Sequence, residues 1–170
     1  MERTTRVAAL ATTGLVLVST LYAAGPASAS ASGNSTAVQR CHTGALKAKV
    51  GGQDAGAGQR YAQLILTNKS SRSCWLYGFP GLIMFDSHGD ALRTRPRREA
   101  VTPHKVVLKP GKSAHARLHW GVIQTGSETT CPTSARLMII PPDEVNAHLE
   151  IPFVATACDA GRIDMRPFAA

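Results

Sequence analysis

The chain has 170 residues with 19 basic and 11 acidic side chains, six His and four Cys, for a formal charge of +8 at pH 7. Only 18% of the residues are charged and 44% are apolar, which excludes a largely disordered chain and leaves enough apolar surface for one ordinary core. The 15 Gly and 10 Pro follow no short period, which excludes a collagen-like repeat.

Residues 1–29 read as a secretory signal peptide. Arg3 and Arg6 supply a positive start, Val7 to Gly25 is apolar or small, and Pro26-Ala27-Ser28-Ala29 offers a cleavage site. Cleavage is expected after Ala29, with Ala31 as the second frame. A bilayer span needs about 20 apolar residues, and the Thr and Ser within this stretch argue for a signal over an anchor. The first Cys is Cys41, preceded by Val38-Gln39-Arg40, so no lipid-modified Cys is expected after the signal. Removing residues 1–29 takes away two Arg and one Glu and leaves +7, so the basic excess belongs to the expected mature chain. Residues 30–40, rich in Ser, Ala, Gly and Asn, read as a flexible leader, and 41–170 as a single domain.

Within that domain the expected elements are strands. Leu46, Ala48 and Val50 alternate with Lys47 and Lys49, a half-buried strand. Residues 51–58 read as a loop, Tyr61 to Thr67 as a strand, and Asn68 to Ser71 as a turn. Cys74 to Tyr77 is extended, and Pro80-Gly81 suits the centre of a type II turn before the apolar run Leu82 to Phe85. Val106 to Leu108 precedes the turn Lys109-Pro110-Gly111-Lys112. Ala114, Ala116, Leu118 and Trp120 then alternate with His115, Arg117 and His119, the clearest period-2 signal in the chain. Arg136 to Ile140, Leu149 to Val154 and Arg162 to Phe168 complete the set. Short strands divided by Gly/Pro turns predict an all-β fold, an immunoglobulin-like antiparallel β-sandwich, with a closed barrel as the alternative.

Four Cys in an exported chain imply two structural disulfides. The spacing favours Cys41–Cys74 with Cys131–Cys158; the crossed pairing Cys41–Cys158 with Cys74–Cys131 stays open. No Cys-x-x-Cys pair exists to hold zinc. Gly111-Lys112-Ser113 lacks the earlier Gly and the following helix of a phosphate-binding loop, because Val106 stands in the Gly position and a strand pattern follows. His115 and His119 would share a helix face, but on a strand they lie about 13 Å apart, too far for one metal ion. Arg93, Arg95, Arg97 and Arg98 form the densest charge in the chain, either a candidate anion-binding cluster or a mobile basic loop. No aromatic residue interleaves them, which argues against stacking on nucleic-acid bases. No Gly-x-Ser-x-Gly or His-Glu-x-x-His motif is present, and no catalytic residue, metal ligand or cofactor site is assigned. Asn34-Ser35-Thr36 and Asn68-Lys69-Ser70 match the glycosylation pattern, as many sequences do by chance.

Several of these features come in a familiar order: Cys41, Gly56-Ala57-Gly58-Gln59, Leu64-Ile65-Leu66-Thr67-Asn68, Cys74-Trp75-Leu76-Tyr77-Gly78-Phe79-Pro80-Gly81, Asp86 to Gly89, Leu108-Lys109-Pro110-Gly111, the Trp120 strand and Cys131. The chain from Cys41 to Phe168 resembles the secreted actinobacterial family of the domain of unknown function 4232. The resemblance implies a secreted β-sandwich, without the lipid-attachment Cys of its anchored members. That family has no established activity, so the resemblance implies no catalytic residues.

The expectation is therefore a secreted, non-enzymatic binding or cell-envelope-associated module with no membrane span in its mature chain. Its expected partners are an anionic cell-wall polymer or another exported protein, with nucleic acid disfavoured. The alternatives are a secreted hydrolase whose site assembles only in three dimensions and a secreted protease inhibitor.

Overall fold

The structure is a computed structural model and describes residues 37–170. The expected signal peptide and most of the expected leader lie outside the described residues. The chain forms strands β1 (Gln39–Arg40), β2 (Leu46–Val50), β3 (Asp54–Gly56), β4 (Gln59–Asn68), β5 (Cys74–Leu76) and β6 (Gly81–Phe85). They are followed by β7 (Arg95–Arg98), β8 (Val106–Leu108), β9 (Ser113–Gly121), β10 (Thr133–Ile140), β11 (Leu149–Thr156) and β12 (Arg162–Met165). The only helical pieces among the described residues are a 3-10 turn at Thr43–Ala45 and a one-turn segment at Cys158–Gly161. No helix among the described residues is long and apolar enough to cross a membrane.

The largest sheet runs β2-β4-β9-β12-β7, with β3 paired to β4; a second runs β11-β10-β6 and a small third β1-β5-β8. Most pairs are antiparallel, but β1 with β5 and β7 with β12 are parallel. The period-2 pattern produces the core directly. Ala62, Leu64 and Leu66 of β4, Ala114, Ala116, Leu118 and Trp120 of β9, and Ile163 and Met165 of β12 are all buried. Leu137 and Ile139 of β10, Leu82 and Met84 of β6, and Phe153 and Ala155 of β11 join them in one cluster. Trp120 meets Phe153 edge-on, with ring centroids 5.5 Å apart, which ties the large sheet to the second in a sandwich. Small Ala side chains on β9 opposite larger ones give the alternation of sizes that lets two sheets interdigitate.

Two disulfides brace the fold, Cys41–Cys74 and Cys131–Cys158, and no cysteine is free. These are the pairs that the sequence spacing favours. Cys41 also donates its N–H to the Trp75 carbonyl at 2.9 Å, so the first bridge lies beside the short parallel pair of β1 and β5.

Several local expectations are corrected. The stretch 51–58 contains β3, which closes a hairpin with β4 through Ala57 (φ 43°) and Gly58 (φ 78°). Two successive left-handed residues are what a two-residue hairpin loop with right-twisted strands requires. Gly81 does not turn the chain; it opens β6 opposite Ile140, where an added Cβ would lie 3.1 Å from the Ile140 Cβ. The left-handed glycines nearby are Gly78 (φ 110°) and, in the later Lys109-Pro110-Gly111-Lys112 turn, Gly111 (φ 75°). The basic run is a strand and not a mobile loop: Arg95–Arg98 pairs with β12 at the sheet edge, a position that tolerates Pro96. Ordered backbone also begins ahead of Cys41, because Gln39 and Arg40 pair with Cys74 and Trp75.

Asn68 ends β4 and is wholly buried. Its Nδ2 donates to the carbonyls of Arg72 (2.7 Å) and Leu108 (2.9 Å), while Oδ1 accepts from the N–H (2.9 Å) and the hydroxyl (2.7 Å) of Ser70. Its backbone N–H donates to the Lys112 carbonyl and its own carbonyl accepts from Gly111 N–H. One side chain thus joins the turn after β4 to the turn between β8 and β9. With both amide hydrogens engaged and the residue buried, Asn68 is no glycan acceptor in the folded domain.

Candidate anion-binding face

The outer face of the large sheet carries the residues that alternate with the core. Cross-strand register sets them in rows: Arg97 opposite Asp164, Asp164 opposite His119 and His119 opposite Tyr61. A second row pairs Arg117 with Gln63, a third places His115, Ile65 and Lys49 in line, and a fourth Ser113, Thr67 and Lys47. Arg95 stands opposite Arg162 at the far end.

Most of the charge on the β9, β12 and β7 part of this face is paired, with Arg97 and His115 the exceptions among the described residues. Glu99 accepts from Arg117 at 2.7 Å and from Arg166 at 2.8 Å, and the Arg166 hydrogen bond, followed by Arg117, holds its carboxyl below the usual range. Arg162 lies 2.9 Å from Asp164 and 3.6 Å from Asp159, and Asp164 strengthens its hold on its proton. Arg95 lies 3.7 Å from Asp159. His119 is stacked on Tyr61, centroids 4.6 Å apart and planes 7° from parallel, and shares a 2.7 Å hydrogen bond with Gln59. His115 and His119 sit four residues apart on β9, with Tyr61 and Gln59 beside His119 and the cleft residues beside His115, so the structure does not bring them together.

The candidate arginine cluster is dispersed. Strand geometry sends Arg95 and Arg97 to the outer face, while the Arg98 guanidinium lies 5.3 Å over the Phe79 ring. Arg93 precedes the strand and is exposed. The strand thus sets Arg98 apart from Arg95 and Arg97; Arg97 is the member on the outer face that makes no ion pair among the described residues.

The other half of the face is different. Lys47 and Lys49 of β2 and His115 of β9 border a cleft of about 310 Å³ with Ile65 of β4 on its floor; the Ala48 side chain between the two lysines turns to the core. At its end Thr67 Oγ1 and Ser113 Oγ share a 2.8 Å hydrogen bond. None of these three basic residues makes an ion pair among the described residues. Larger hollows exist, one of about 470 Å³ beside residues 37–45, but Arg40 there is bound to Asp143 and His42 to Glu144. Sequence reasoning takes Lys47 and Lys49 only as the polar side of a strand. Their meeting with His115 depends on β4 lying between β2 and β9, and no local pattern carries that.

A separate carboxylate site is already filled. Glu128 accepts backbone N–H groups from Ala160 (2.6 Å), Asp159 (2.9 Å) and Thr125 (3.0 Å). The Ala160 and Thr125 bonds hold its carboxyl down to about 2. Glu128 lies beside Cys131 and Cys158, but those sulfurs are joined to each other and are not thiolate ligands for a metal.

With fold and face in view, comparison with known proteins assigns the chain. It belongs to the family of the domain of unknown function DUF4232, which it matches over residues 41–169. No curated protein and no solved structure matches it.

Proposed function

We propose that the protein is an exported, non-catalytic binding module that holds an anionic polymer of the cell envelope on the outer face of its large sheet. The observation that carries this reading is the set of cations, Lys47, Lys49 and Arg97, that make no ion pair among the described residues and share one exposed sheet face. An unpaired surface cation attracts polyanions at long range, whereas the Glu99 and Asp164 networks hold their own arginines. The two disulfides support an oxidising location, and residues 1–29 supply the address.

The test is retention of the exported protein on immobilised anionic wall polymer. Retention should be strong at low ionic strength and fall as salt rises, since exposed charges are screened within about 10 Å at 0.1 M. Absence of retention at every salt concentration removes the reading. N-terminal sequencing of the exported protein should begin at Ser30 or Ser32; a chain still beginning at Met1 removes export by signal cleavage.

A further inference from the structure

We infer that the cleft bordered by Lys47, Lys49 and His115 is a phosphate-group site whose ligand is a linear polyol phosphate. The inference rests on the reading of the sheet as an anion-binding face and names the group it takes.

Four observations select that chemistry. The basic groups make no ion pair among the described residues, and they are two ammonium groups beside an imidazole, not guanidinium forks. Planar carboxylates gain most from the bidentate fork of Arg, whereas compact ammonium donors meet a tetrahedral phosphate equally well from several directions. Second, Lys47 and Lys49 stand two residues apart on one strand face, roughly 6.6 Å at the usual strand rise. That separation gives each Lys its own anionic group along a chain, so the match is to a repeating polyanion and not to a single ion. Third, the Thr67 and Ser113 hydroxyls share one hydrogen bond, which leaves one of their two hydrogens free to donate at the cleft end. Fourth, Ile65 gives the floor an apolar patch suited to the CH groups between phosphates, and no Trp, Tyr or Phe is among the described residues that line the cleft to stack a nucleobase.

The experiment measures binding of the disulfide-intact exported chain to poly(glycerol phosphate), to polygalacturonate of matched charge and to a single-stranded DNA homopolymer. The wild type should prefer poly(glycerol phosphate). Lys47→Gln with Lys49→Gln should weaken that binding about tenfold at low salt, taking each exposed contact near the upper part of its usual range. The slope of log K against log salt should also fall by roughly 1.4, two contacts at about 0.7 each. Both changes sit on an exposed strand face, and an unchanged melting temperature would show that the fold is intact. If the double variant binds like wild type while Arg97→Gln weakens binding, the cleft is overturned and the face stands. Equal or tighter wild-type binding to polygalacturonate or DNA overturns the ligand class. Failure of the wild type to bind any of the three removes the underlying reading as well.

Discussion

Asn68 offers the most quantitative check on how the fold is held. Asn68→Ala deletes two donated and two accepted side-chain hydrogen bonds at once. The Leu108 carbonyl lies in a residue only 1% exposed, so its lost partner cannot be replaced by water, and an orphaned buried acceptor costs about 1–3 kcal/mol. Arg72 is exposed and Ser70 half-buried, so their groups rehydrate and each bond there is worth only about 0.5 kcal/mol. The sum is about 3 kcal/mol, a large part of the roughly 5–15 kcal/mol that stabilises an ordinary domain. Urea unfolding with both disulfides intact should show a lower midpoint at unchanged slope, and the melting temperature should drop by roughly 10 °C. A loss under about 1 kcal/mol would refute the account of Asn68 as the link between the two turns.

Asn68→Asp sharpens the test. One carboxylate oxygen would then face the Arg72 and Leu108 carbonyls where an amide now donates. Burial and those two oxygens raise the folded-state pKa above the unfolded value of about 3.9. The folded state then binds the extra proton more tightly than the unfolded one. The penalty is therefore smallest below the unfolded pKa and grows as pH rises through the folded one. Asn68→Ala carries no such slope, so an Asp variant that tracks the Ala variant across pH would contradict the geometry.

Three further outcomes follow from the bridges and turns. Because its folded pKa is depressed to about 2 from 4.5, Glu128 stabilises the fold fully above pH 4.5 and progressively less as pH falls towards 2; Glu128→Gln should flatten that acid limb, and an unchanged limb in acid titration of stability would count against the three N–H contacts. An added Cβ at Gly161 (φ 73°) would collide with the Arg93 carbonyl oxygen, so Gly161→Ala should cost about 3 kcal/mol or more, while Gly44→Ala, with nothing within 4 Å, should shift a thermal melt little; a wild-type melt for Gly161→Ala refutes this. Non-reducing peptide maps should join Cys41 to Cys74 and Cys131 to Cys158, and reducing either bridge should cost about 3.5 kcal/mol by loop entropy; a Cys74–Cys131 peptide would overturn the pairing.

The core strands were legible because one face of each is apolar and the other polar. β9 is the clearest, with four buried residues at every second position. What stayed hidden has a common cause. β3, with Asp54-Ala55-Gly56, is exposed throughout and buries nothing, so it leaves no periodic mark. β7 reads as Arg-Pro-Arg-Arg, which has no apolar face because an edge strand needs only its ladder with β12. The bridges were legible from counting and spacing, but the candidate face was not. Arg93 to Arg98 drew attention by density, and strand parity dispersed it, whereas Lys47, Lys49 and His115 are unremarkable one by one and meet only through the register of three strands.

The second disulfide has a consequence for that face beyond chain entropy. Arg95 and Arg162 stand directly opposite each other on β7 and β12, a like-charge pair that is destabilising by about 0.2–1 kcal/mol. Asp159 lies 3.7 Å from one and 3.6 Å from the other, so a single carboxylate screens both. It can do so because Asp159 and Ala160 are held left-handed, φ 53° and 52°, next to Cys158 and under the Glu128 carboxylate. The bridge and Glu128 thus fix a strained turn that sets the charge closing the edge of the sheet. Asp159→Asn isolates this role, since Asn tolerates left-handed backbone and keeps the shape. Asp159 is 38% exposed, so its loss should cost no more than about 1 kcal/mol at low salt. In about 1 M salt, where screening acts within about 3 Å, the exposed repulsion between the two arginines fades and the gap to wild type should close. A gap that stays constant or widens with salt would show that Asp159 acts through something other than charge.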